Sequence, residues 1–188
     1  TYSRYDHGSE LDREIERINK DHFFVMFKGK ACIAKEMKIA DPLDEPLQIM
    51  KPTCFRTLLA NQKIKIDDKT LPLGKLWLEH TDRKQYDKVV FKPEGKTKEN
   101  EFNLWKGYSY KPDPSGDCSL FLQHIKDNIA DGDDEIYNYI LAWMANVIQN
   151  PDKRAGIALA LIGEQGCGKS IFVNEFGELF GRHYKHIS

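Results

Sequence analysis

The sequence predicts a mixed α/β chain: an α+β front part with a β-hairpin, then a helical segment, then the first strand, loop and helix of a larger core. Three observations carry this. "HFFVMF", "KGK" and "ACIA" set two β-rich runs around a loop containing glycine. "FLQHIKDNIA" and "IYNYILAWMANVIQ" repeat apolar residues at helical spacing. "IALALIGEQGCGKSIF" leads an apolar run into a glycine-rich loop and a second helical pattern.

Along the chain, Ser9 followed by Asp12 resembles a capping box, and Leu11, Ile15 and Ile18 then mark an amphipathic helix over 10–20. The hairpin follows, its loop read as the three residues "KGK". Pro42, Pro46 and Pro52 punctuate a connection expected to be irregular, after which 55–60 reads as a brief helix. "LPLGKLWLEH" reads as another, centred on Leu76, Trp77 and Leu78, and "DKVVFKP" as a strand stopped by Pro93. The turn-rich "KPDPSGD", residues 111–117, marks a boundary. The expected divisions are therefore an accessory domain over 1–112, a helical segment over 113–155 and the opening of a core over 156–188. In the helical segment, Phe121, Leu122, Ile125 and Ile129 mark one helix. Ile136, Ile140, Trp143, Met144 and Val147 mark a longer one, headed by Asp133, Asp134 and Glu135 and followed by Pro151.

Composition removes several classes. With 28 basic and 29 acidic residues among 188, no global field favours nucleic acid, so such contact would need a local patch. No apolar run approaches the roughly 20 residues of a bilayer crossing, and the polar start "TYSRYDHGSE" predicts neither signal peptide nor anchor. Cys32, Cys54, Cys118 and Cys167 include no C-x-x-C pair, which points to reduced thiols in a cytoplasm. His183 and His186, an isolated H-x-x-H, read as two solvent-facing histidines rather than metal ligands.

"GEQGCGKS", residues 163–170, fits G-x-x-x-x-G-K-[ST] at every position. Triphosphate oxygens are held by backbone N–H groups that curl around them, and glycine lets that backbone approach without a Cβ in the way. The expected cradle is Gly163, Glu164, Gln165, Gly166, Cys167, Gly168, Lys169, Ser170 and Ile171. Lys169 would place an ammonium between the terminal phosphates of ATP, and the Ser170 hydroxyl would ligate Mg2+, making these two the candidate catalytic residues. The following helix aims its N-terminal N–H groups at the same anion. Residues 157–162 are expected to form the preceding strand, and Phe172, Phe176, Leu179 and Phe180 the buried stripe of the helix. ATP hydrolysis also needs a later strand ending in acidic residues. "DGDDE", 131–135, lacks an apolar strand before it and reads as a helix N-terminus. The chain is thus expected to hold the opening of an ATPase core, and to be inactive alone; its initial Thr1 fits a processed chain or a piece of something longer.

From residue 87 onward the chain resembles the helicase region of phage primase–helicase and primase–polymerase replication proteins, of superfamily 3. The elements that carry the resemblance are "VVFKPEG", "FNLWKGYSYKPDPSG", "YILAWMANVIQNP" and "RAGIALALIGEQGCGKSIF". It implies an accessory module leading into an AAA+-like core, and a complete protein that is a hexameric ring unwinding DNA with ATP and Mg2+ in the cytoplasm of a bacterial host. By position it carries over Gly163, Gly166, Gly168, Lys169 and Ser170 as phosphate and magnesium contacts. The family's acidic strand, pore loop and neighbour-supplied arginine have no counterpart here. Between Thr81 and Lys111, eight basic residues face five acidic ones, with aromatics interleaved. Lys92, Lys96, Lys98, Trp105 and Lys106 are therefore candidates for contacting single-stranded or forked DNA, against the plainer reading of a solvated lysine-rich loop around a core tryptophan. The alternative function is a non-catalytic DNA-binding or assembly module of a replication complex with a vestigial loop.

Overall fold

Helices and strands are mixed up to residue 103 of the computed structural model, which describes residues 10–37, 45–93, 95 and 97–187, and helices alone follow. The chain is of mixed α+β class with small sheets, and it divides into two units. One comprises Thr1–Val90 with Lys96–Leu104, the other Phe91–Gly95 with Trp105–Ser188.

In the first unit, α1 (Glu10–Asn19) buries Leu11, Ile15 and Ile18, as the spacing predicts. The proposed cap Ser9 lies outside the described residues. β1 (His22–Phe27) and β2 (Lys30–Glu36) form the hairpin, but Phe27 pairs with Lys30, so the turn is two residues rather than three. Lys28 and Gly29 both have positive φ, 50° and 74°, the backbone that such a tight turn demands. β3 (Leu47–Met50) pairs antiparallel with β2 inside the stretch expected to be irregular. It is an edge strand, so the prolines on either side remove no ladder bond.

α2 (Pro52–Leu58) begins on Pro52 rather than at 55, since proline fits the first helical turn, where no intrahelical N–H is needed. A hairpin of β4 (Lys63–Ile66) and β5 (Lys69–Pro72) precedes α3 (Leu73–Glu79). β6 (Gln85–Tyr86) runs parallel to β1, and β7 (Lys88–Val90) parallel to β8 (Glu101–Asn103). Side chains alternate across the main sheet. Ile33 and Phe24 join Leu11, Ile15, Phe55 and Trp77 of the helices, while Phe23, Val25 and Ala34 pack with Phe102 on the other side. Trp77 is fully buried, and its Nε1 donates to Asn19 Oδ1 at 2.8 Å.

The second unit opens with two Asx turns in the proline-rich stretch, where Asp113 accepts from Ser115 and Asp117 from Ser119. α4 (Ser119–His124) continues into a π-helical turn, Ile125–Ile129, closed by the Ala130 N–H bonding to the Ile125 carbonyl. α5 (Asp134–Gln149) is capped by Asp133, whose carboxylate accepts from the N–H groups of Glu135 and Ile136; "DGDDE" is a helix N-terminus, as expected. α6 (Lys169–Glu178) follows the glycine-rich loop. Ile125, Ala130, Ile140, Met144, Phe172 and Phe176 form one core, with Leu159, Leu161, Leu179 and Phe180 against it, so the helical segment and the loop-helix segment share a single apolar centre.

Residues 157–162 depart from expectation. They belong to no β-ladder, because no strand of the described residues lies alongside to bond them. From 158 to 162 the side chains still alternate: Leu159 and Leu161 turn to the core, whereas Ala158, Ala160 and Ile162 are exposed, Ile162 at 97%; Ile157, 58% exposed, lies outside this pattern. The Trp143 Nε1–H donates to the Ile157 carbonyl at 3.2 Å.

Candidate functional site

The site is the loop between this extended run and α6. Gly166 and Gly168 have φ of 90° and 87°, the left-handed region that side chains other than glycine adopt at a cost. Alternating them with Cys167 curls the backbone into a nest of amides. Gly168 is the N-cap of α6 and contributes no side-chain cap. The first N–H groups of a helix lack partners within it and carry the positive end of its dipole, so this end suits an anion. α6 is fixed by Phe172 and Phe176, 3% and 7% exposed, as the stripe predicts.

The Lys169 side chain folds back over the loop. Its ammonium donates to the carbonyls of Gly163 at 2.9 Å and Glu164 at 2.7 Å, and to Cys167 Sγ at 3.2 Å. A Cβ on Gly163 would come within 3.1 Å of that sulfur, so the first glycine makes room for the lysine and cysteine. Glu164, Gln165 and Ile171 are exposed, as is Ser170 at the mouth of the loop. A groove of about 660 Å3 lies beside it, lined by Leu159, Leu161, Phe172 and Phe176 together with Lys169 and Ser170.

A triphosphate fits these residues: two positive-φ glycines, a capping-free helix end and an ammonium converge on the loop. Magnesium would take one oxygen from Ser170 and the rest from phosphate and water, a sparse set that this ion accepts. Among the described residues no cluster of three acidic, histidine or cysteine groups could hold a metal by itself.

The candidate DNA residues are dispersed. Lys96 lies outside the described residues, Lys98 is an exposed residue of the first unit, and Lys92, Trp105 and Lys106 belong to the second. Trp105 stacks on His183, with ring centroids 4.7 Å apart and planes at 15°, and meets Phe91 and Tyr108 edge-on. It anchors a strap: the Ser109 N–H bonds to the Leu179 carbonyl at 2.9 Å, and the Tyr108 hydroxyl donates to the Ile148 carbonyl. His183 is thus half-buried rather than solvent-facing. Burial and the neighbouring Arg182 lower its pKa below the ordinary 6.5, and its Nε2 accepts from the Lys106 N–H at 3.3 Å. Two further basic residues of that stretch are also engaged: Lys88 pairs with the buried Glu101 at 3.2 Å, and Arg83 covers the Phe24 ring.

Sequence reasoning missed one contact of the loop. His124, at the end of α4, places Nε2 3.1 Å from the Gly168 carbonyl, while Asn128 Nδ2 lies 2.9 Å from its Nδ1. The only linear signal is a His and an Asn four residues apart within an amphipathic helix.

No protein-family model matches the chain, and neither curated proteins nor solved structures give a match.

Proposed function

We propose that residues 163–170 bind the phosphates of Mg·ATP and that the chain is part of an ATP-dependent DNA helicase of the phage primase–helicase kind. The observation that carries this reading is the convergence on one loop of Gly166, Gly168, the α6 N-terminus and the Lys169 ammonium. Lys169 exchanges its weakest partner, the Cys167 sulfur, for phosphate oxygen while keeping its two carbonyls, so the charge is held in place before ligand arrives. Backbone N–H groups from Gly166 to Ser170 receive the anion, and Ser170 Oγ holds Mg2+, which supplies charge neutralisation for phosphoryl transfer. The half-covered run 157–162 supports a sheet that continues beyond it, since Ile162, on the side opposite Leu159 and Leu161, is what a neighbouring layer would bury. In this reading the complete protein is a homo-hexamer that separates strands of single-stranded or forked DNA in a bacterial host cytoplasm. Among the described residues no helix is long and apolar enough to cross a membrane.

Calorimetric titration of Mg·ATP into the wild-type chain and Lys169→Ala tests the site. One charge-assisted bond at about 1.5–3 kcal/mol predicts a loss of roughly 10- to 100-fold in affinity. Equal uptake by both proteins would refute the assignment. In the complete protein the same substitution abolishes ATP-driven unwinding.

A further inference from the structure

We propose that His124 is a positioning residue of the phosphate loop, holding the Gly168 peptide so that the Lys169 N–H points into the cradle. The inference rests on reading residues 163–170 as a triphosphate site. Its own evidence is the geometry around one carbonyl. Gly168 O accepts from the Phe172 N–H at 3.2 Å, as the first bond of α6, and lies 3.1 Å from His124 Nε2. A planar trans peptide sets C=O and N–H in opposite directions. Fixing the Gly168 carbonyl on the helix side therefore aims the Lys169 amide away from the helix, toward the anion.

The ring itself is held. With Asn128 Nδ2 donating to Nδ1, the hydrogen must sit on Nε2, which makes that nitrogen the donor to Gly168. The π-helical turn carries Asn128 and follows directly on His124. Its first residue, Ile125, is fully buried in the core next to His124, so the imidazole is set by a rigid element rather than a loop. Space is shaped to match: a Cβ on Gly168 would lie 2.2 Å from His124 Cε1. The third motif glycine thus serves the backbone turn and also admits the histidine. Helix α4, 44 residues upstream, becomes part of the nucleotide site without touching the nucleotide.

The test uses the whole chain with His124→Leu and His124→Gln, the second keeping a donor near Nε2. Mg·ATP titration is expected to show His124→Leu weaker by roughly 3- to 10-fold and His124→Gln close to wild type, the two variants having matching melting temperatures. A merely structural histidine would not be rescued by glutamine. Wild-type affinity in His124→Leu overturns the inference and leaves the ATP reading standing. No uptake by the wild-type chain removes the ATP reading, and the inference with it. A second measurement needs no variant: a long-range proton–nitrogen correlation spectrum of His124 is expected to show the Nε2–H tautomer, and the Nδ1–H tautomer would overturn the proposal.

Discussion

At the scale of single residues, His183 turns a sequence pattern into a pH response. Burial and Arg182 hold its imidazole below 6.5, while its neutral Nε2 accepts the Lys106 N–H. As pH falls, the unfolded chain takes up this proton first. The stability that the neutral histidine supplies is therefore complete above 6.5 and declines as pH drops through 6.5 toward the lower folded value. A melting profile between neutral and mildly acidic pH is expected to slope downward over that window and to flatten in His183→Phe, which keeps a ring on Trp105. An unchanged slope would contradict the assignment. The glycines of the loop were legible because only a special backbone explains three of them in six positions. His124 and His183 were not, because each acquires its role from a partner 44 or 77 residues away.

Elements were legible where their signal is local. α5 could be read from its stripe and its acidic head, and Asp133 supplies the cap with bonds of 2.8 and 3.0 Å to Glu135 and Ile136. Asp133→Ala is expected to cost about 1 kcal/mol, lowering the melting temperature of the second unit by about 4–8 °C. Asp133→Asn, which retains a capping oxygen, should recover most of it; equal losses in both variants would contradict the capping role. Less local elements escaped. β4 and β5 carry a signal in the alternation of "KIKI" and in the two aspartates of the turn, where Asp67 takes φ of 52°. β6 and β8 are two or three residues long, and only their parallel partners define them as strands, whereas β7 lies within "DKVVFKP", which reads as a strand. Residues 157–162 reveal the converse: the sequence has the character of a buried strand, yet a ladder also requires a neighbour.

For the molecule as a whole, the mixed class was legible, whereas the cores form from contacts between distant segments. The strap around Trp105 is an example: Trp105 and Lys106 are candidate DNA contacts beside the plainer reading of a core tryptophan, and in the fold Trp105 stacks on His183 while Tyr108 ties the segment to the end of α5. Residues 157–162 also have a consequence for handling the protein. An extended segment with an isoleucine almost entirely in solvent and no laddered neighbour among the described residues is a template on which a second molecule can lay its own backbone. Sedimentation over a range of concentrations is expected to reveal reversible clustering, and Ile162→Lys to suppress it without altering the melting curve. Such a sticky rim would set the practical ceiling on how concentrated a preparation can become before it turns cloudy.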